Sequence, residues 1–230
     1  MPVAGFVTMR RWPVGLRLSS VAVVVLLLAA CGEGSVPTAS TSTWVQTSSA
    51  TVSAPPDLAA VLVPPDGFVP GRDQLSGPIT SKDDVVRLFG DIPGRAERIL
   101  KNGFVRGYLQ SWGPPDPTAY SYPPPPTVTA MAIVLEFKSD DGATIEARHA
   151  RQDAISLGYS PFPVPRQLPN GNGDSKEERL TSFTTTYYQG IAWTRGRRLY
   201  SVALTSTERP ADTGKIISLA LRQDDAATKP

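Results

Sequence analysis

The chain has 230 residues, 23 Lys and Arg against 21 Asp and Glu, a formal charge of +2, one cysteine and one histidine. A lone Cys excludes an internal disulfide and a thiolate metal cluster, and a lone His excludes a His-rich metal site. So small a charge gives no global electrostatic argument for nucleic acid or for an acidic lipid surface as partner.

The first ordered signal along the chain is Arg10-Arg11 and Arg17, an apolar run from Val21 to Ala30, then Cys31 and Gly32. A cationic lead, an apolar core of about ten residues and small residues before a cut site mark a secretory signal (residues 1–30) too short to span a bilayer. Sec is the default route, because Trp12-Pro13 is an odd continuation for a twin-arginine signal. The residues Leu28-Ala29-Ala30-Cys31 resemble the lipobox of bacterial lipoproteins. That resemblance implies cleavage between Ala30 and Cys31, a diacylglyceryl thioether on Cys31, and a lipid anchor in the outer face of the plasma membrane. At roughly 0.8 kcal/mol per buried methylene, two or three acyl chains hold stably where one does not. The residues alone also allow a soluble secreted protein cut at an A-x-A-like site, or a short uncleaved anchor. Cleavage removes three arginines and no acid, which takes the formal charge from +2 to −1, and acylation leaves no free thiol.

From Cys31 through Gly32 to about Pro56 the chain is Ser, Thr, Ala, Pro and Val with hardly a charge, too poor in apolar content to offset its ordering entropy. It reads as a tether spanning about 25–30 Å root-mean-square. A single domain is expected over residues 57–223. Leu58, Val61, Leu62 and Val63 run into the turn Pro64-Pro65-Asp66-Gly67. Ser81 and Asp84 form a capping box for a short helix ending at Gly90, and a second short helix runs from Gly94 to Lys101 before Asn102-Gly103.

The period then changes to two. Phe104 to Trp112 reads as a strand with Phe104, Tyr108 and Trp112 on one face. Pro114 to Pro126 is a stiff loop carrying Tyr120 and Tyr122, and Val128 to Phe137 is a central strand buried on both faces. Ser139-Asp140-Asp141 caps a long helix with the small-residue stripe Ala143, Ala147, Ala150 and Ala154, closed by Gly158. Tyr159 to Glu178 reads as a loop. Strands follow at Leu180–Tyr188, Ile191–Thr194 and Leu199–Thr205, with a turn at Arg195-Gly196-Arg197. Asp212 opens a last helix, and the tail, residues 224–230, is expected to be frayed. The predicted class is α+β: one antiparallel sheet from two β-β-α units, both long helices on one face in a two-layer domain, preceded by short helices.

Few groups suit chemistry. His149 lies beside the alanine stripe between Arg148 and Arg151, where a solvated surface position explains it. The loop Asn170-Gly171-Asn172-Gly173-Asp174 departs from a calcium loop at its sixth and twelfth positions, Ser175 and Thr181, and reads as a surface turn. Candidate carboxylates are Glu136, Asp140-Asp141, Glu177-Glu178 and Asp73. A helix N-terminus accounts for Asp140-Asp141, and Glu136 as a strand-end acid is expected to reach water. Arg195, Arg197 and Arg198 form a basic hairpin tip beside Trp193, either a solvated turn or a contact for an anion or lipid headgroup. Phe104, Tyr108, Trp112, Tyr187, Trp193 and Tyr200 either fill the core or line an aromatic cleft. The candidate ligand surface is therefore Trp193, Arg195, Arg197, Arg198, Tyr108 and Trp112.

With its tether, its proline-rich lead-in Leu62-Val63-Pro64-Pro65-Asp66-Gly67-Phe68 and one α+β domain, the chain resembles small extracytoplasmic lipoproteins of actinobacteria. Some of these resemble the extracellular sensor domain of a mycobacterial receptor kinase, others the PsbP/Mog1-like fold. The resemblance implies a binder of a ligand, an envelope protein or a lipid, non-catalytic, without cofactor and without nucleic acid. The rival expectations are a carboxylate-dependent cell-wall hydrolase and a lipid-carrying accessory subunit of an envelope transporter.

Overall fold

The structure, a computed structural model, describes residues 56–71, 76–115, 128–179, 184–207 and 212–229. The expected secretory signal, Cys31, the expected tether up to residue 55, Asp73, Tyr120 and Tyr122 lie outside the described residues.

Helix α1 (Pro56–Ala60) leads through the turn at Gly67 to two short strands, β1 (Val69–Pro70) and β2 (Gly77–Ile79). In α2 (Lys82–Phe89) the capping box is formed: the Ser81 hydroxyl accepts from the Asp84 N–H, and Asp84 Oδ2 accepts from the Ser81 N–H at 3.0 Å. Helix α3 (Arg95–Lys101) starts at Gly94, whose φ of 78° suits a residue without a side chain. Strands β3 (Phe104–Gly113) and β4 (Val128–Phe137) form one antiparallel hairpin pair, and β7 (Thr185–Arg195) and β8 (Arg198–Ser206) form another. Between them come α4 (Asp140–Ser156), β5 (Ser160–Phe162) and β6 (Asn172–Arg179), and α5 (Thr213–Thr228) closes the described chain. The sheet runs β1-β3-β4-β8-β7-β6-β5, with β2 also on β3, and every pairing is antiparallel.

The mixed α+β class agrees with the expectation, but the layering differs. Met131, Ile133, Leu135 and Phe137 of β4 pack with α2, α3 and Ala143 and Ala147 of α4. Ala130, Ala132 and Val134 pack instead with Leu58 of α1 and with Ile216, Leu219 and Ala220 of α5. The long helices therefore lie on opposite faces, not on one. The cause is visible in β4 and β8, which are apolar at odd and even positions alike, so a single helical layer would leave one apolar face in water.

Four further differences have local causes. The expected loop Tyr159–Glu178 holds two strands, and β6 reads Asn-Gly-Asp-Ser-Lys-Glu-Glu-Arg, polar on both faces and without the apolar alternation that announces a strand. The two strands expected around Gln189-Gly190 are one, in which Gly190 pairs with Asp174 and Ala203 instead of turning; Leu180–Phe183 lie outside the described residues. Helix α5 continues through the expected tail to Thr228, with Asp224 buried. A bulge between Phe104 and Arg106 places Phe104 against Phe137 on the α4 face, away from Tyr108 and Trp112.

Candidate functional site

At the end of the sheet where β7 turns into β8, parity brings basic residues together. Arg106 pairs across the sheet with Glu136, Glu136 with Arg198, and Arg198 with Arg195. These positions share the face that carries Trp193 and Tyr200, because residues directly opposite one another project to the same side. Gly196, at φ 52°, makes the tight turn that adds Arg197.

Two carboxylates organise this rim. Glu136 is buried between two arginines: Arg106 Nε donates to Oε2 at 2.6 Å and Arg197 Nη2 to Oε1 at 3.1 Å. It does not stand free in water as expected for a strand-end acid, because the hairpin folds Arg197 over it. Asp224 of α5 accepts from Arg195 through Nε at 2.7 Å and Nη2 at 2.5 Å, and from the Trp193 indole N–H at 2.9 Å. Those bonds raise the Arg195 pKa above its ordinary value. Arg195 also donates to the Gln167 carbonyl. Arg197, whose side chain is 56% exposed, is the most accessible of the three arginines that Glu136 and Asp224 hold.

The predicted surface residues divide accordingly. Arg195, Arg197 and Arg198 meet at the rim. Trp193 is fully buried and stacks on Tyr200 with centroids 5.3 Å apart at 16°, and Trp112 is buried beyond Ala130 at the far end of the same face. Tyr108 is half-buried on that face, opposite Val134. The aromatic residues thus form core packing beneath the rim, with Tyr108 at its margin.

On the opposite face lies a second polar set that the sequence did not single out. Glu146 of α4, 1% exposed, accepts from Arg98 Nε and Nη2 at 3.3 and 3.2 Å and from Asn102 at 3.0 Å. Arg98 also reaches Asp153 at 2.5 Å. Burial opposes the charge of Arg98, yet the bonds to Glu146 and Asp153 outweigh it and its pKa is raised. Asp174 of β6 faces this side, and burial lifts its carboxyl to about 6. Near it are Tyr159, whose hydroxyl pKa is pushed up by burial and by the charge of Asp174, and Lys176, whose Nζ lies 5.6 Å from the Tyr159 ring centroid. Only the even spacing of Asp174, Lys176 and Glu178 could have signalled this, and it becomes informative once the segment is known to be a strand. Among the described residues no group of acids, His or Cys is arranged to hold a metal ion, and no helix is long and apolar enough to cross a membrane.

The chain matches no protein-family model and no curated protein. Its fold is similar to that of the extracellular domain of PknH from Mycobacterium tuberculosis, with a TM-score of 0.53 and 10% sequence identity, over 77% of this chain and 97% of that one. At that identity the likeness is one of fold.

Proposed function

We propose that the chain is a lipid-anchored extracytoplasmic binding domain that catalyses nothing and whose arginine rim contacts the anionic headgroups of the membrane holding it. The observation that carries the binding role is Arg197 at the hairpin tip, its side chain mostly in solvent although it reaches Glu136. The lipobox-like Leu28-Ala29-Ala30-Cys31 and the fold shared with an extracellular domain support the location. The non-catalytic reading is supported by what engages the candidate acids: Glu136 sits in two ion pairs, and Asp140 and Asp141 occupy the first turn of α4, where the helix dipole favours anions.

Two measurements test this. Expressed in a bacterium that makes lipoproteins, the chain is expected in the membrane fraction carrying a diacylglyceryl mass, and Cys31→Ser is expected in the soluble fraction. The Cys31→Ser chain is expected to sediment with vesicles rich in phosphatidylglycerol, less so in high salt or with Arg197→Glu, and not with phosphatidylcholine vesicles. An unmodified Cys31 overturns the anchor. Equal sedimentation with both lipids overturns the rim.

A further inference from the structure

Gln189 of β7 is 7% exposed, and its Oε1 is shut off from water with no hydrogen-bond partner. The amide is held at its other end alone: Nε2 donates to Thr213 Oγ1, in the first turn of α5, at 3.3 Å. A buried carbonyl without a donor forfeits its hydration, so a fold that keeps one usually has a use for it. Methionine has nearly the same length and shape without the polar end, so packing by itself does not call for an amide at this position.

Cross-strand register assembles the surroundings of that amide. Directly opposite Gln189 on β6 stands Ser175, whose Oγ donates to the Ser160 carbonyl at 3.4 Å and keeps its lone pairs free. The next pair on the same face is Tyr187 with Glu177. Tyr187 and Thr213 are half-buried, and Glu177 and Asp212 are exposed, so a polar rim open to solvent surrounds a concealed acceptor. Ile191 and Trp193 continue this face along β7 into the core under α5. The set lies about 20 Å along β7 from Arg195, at roughly 3.3 Å per residue, and so at the other end of the strand from the arginine rim.

The charges define what fits. The start of α5 carries the positive end of the helix dipole, which disfavours an ammonium group, and its cap is already filled, since Asp212 Oδ1 accepts from the Gly214 N–H at 2.9 Å. An anion meets the Glu177 carboxylate and the orphaned carbonyl, neither of which donates. A neutral group that donates to Gln189 Oε1 and accepts from the Thr213 hydroxyl is itself a hydroxyl. We propose that Gln189, Thr213, Ser175, Tyr187 and Glu177 bind a saccharide. One sugar hydroxyl bridges Gln189 and Thr213, its neighbours donate to Ser175 and Glu177, and the apolar face of the sugar ring lies on Tyr187, whose side chain has an apolar body and a polar tip. The 3.3 Å bond to Thr213 is the one hydrogen bond the Gln189 side chain makes among the described residues, so turning the amide outward to meet the sugar gives up one long bond and supplies the missing donor.

The test titrates methyl glycosides of glucose, galactose, mannose, arabinose and N-acetylglucosamine calorimetrically into the full chain, held in a detergent without a sugar headgroup. Cyclohexanol, acetate and n-butylamine serve as probes that carry a ring with one hydroxyl, a negative charge and a positive charge. At least one glycoside is expected to bind tenfold or more tightly than any of the three probes. Gln189→Met, which keeps shape and removes the amide, is expected to weaken that glycoside at least tenfold while the thermal midpoint stays the same or rises, a split that a merely structural glutamine would not produce. Thr213→Val and Tyr187→Ala are each expected to weaken it at least threefold, and they decide the matter should Gln189→Met unfold. A panel in which no glycoside exceeds cyclohexanol overturns the site, as does glycoside binding unchanged in the folded variants. Arg197→Glu is expected to leave glycoside binding intact, so failure here and failure of the headgroup contact are separable.

Discussion

The indole N–H of Trp193 donates to Oδ1 of Asp224 at 2.9 Å, joining the innermost aromatic residue of β7 to the last helix. The same carboxylate takes both bonds from Arg195. Replacing Asp224 with Ala leaves a buried indole donor without acceptor and a guanidinium with only the Gln167 carbonyl, and is expected to cost about 2–4 kcal/mol in chemical denaturation. Asp224→Asn, which keeps an acceptor for Trp193, is expected to lose about half as much. A chain ending at residue 223 as stable as the full one would refute the coupling.

Glu136 and Arg197 are partners of unequal weight. Removing Glu136 as Ala is expected to cost about 2–3 kcal/mol, because Arg106 is left half-buried without its carboxylate. Removing Arg197 as Ala is expected to cost less than about 1 kcal/mol, since its side chain is mostly in water. Equal losses in urea titration would contradict the burial asymmetry.

Gly142 lies in the first turn of α4, where intrinsic propensity favours Ala by about 1 kcal/mol. A Cβ there would run into the backbone carbonyl oxygen of Asn102, because the turn after α3 presses on the start of α4. Gly142→Ala is therefore expected to destabilise by about 1–3 kcal/mol against its propensity. A stabilised variant in a thermal melt would show that α3 and α4 are further apart.

Asp174 has a pH signature. Its carboxyl titrates near 6 in the folded chain and near 3.9 when unfolded, so the fold favours the protonated form. Ionisation in the fold thus costs stability, fully above about pH 6, and the cost disappears as pH falls below about 4. Asp174→Asn is expected to be more stable than the parent at pH 7.5, by at most about 3 kcal/mol, with the advantage vanishing by pH 4. Paired denaturation curves at the two pH values check both sign and window.

Most local starts and stops were legible in the sequence because they rest on short-range chemistry. The Ser81–Asp84 box, the Ser139 and Asp212 caps and the turn at Gly196 depend on neighbours within four residues, and all are formed. The face chosen by each long helix was not legible, since β4 and β8 are apolar on both sides and accept a helix on either. Strand β6 escaped notice because backbone bonds to β7, not side-chain burial, make it a strand. The rim arginines could be grouped from the hairpin alone. Arg106 and Glu136 joined them only through cross-strand register, and Arg98, Glu146 and Asp153 on the other face meet only through the packing of α3 against α4.

The seam between β4 and β8 joins residues 128–137 to residues 198–206, while the pairs on either side of it are built by strands adjacent in the chain. Hairpins of that local kind assemble quickly, whereas a join across so long a stretch is slow. Until the seam closes, each half presents an open inner edge able to take a strand from another copy. Association of open edges is therefore expected to compete with closure of the seam, and recovery after denaturation should decline with protein concentration long before native stability changes.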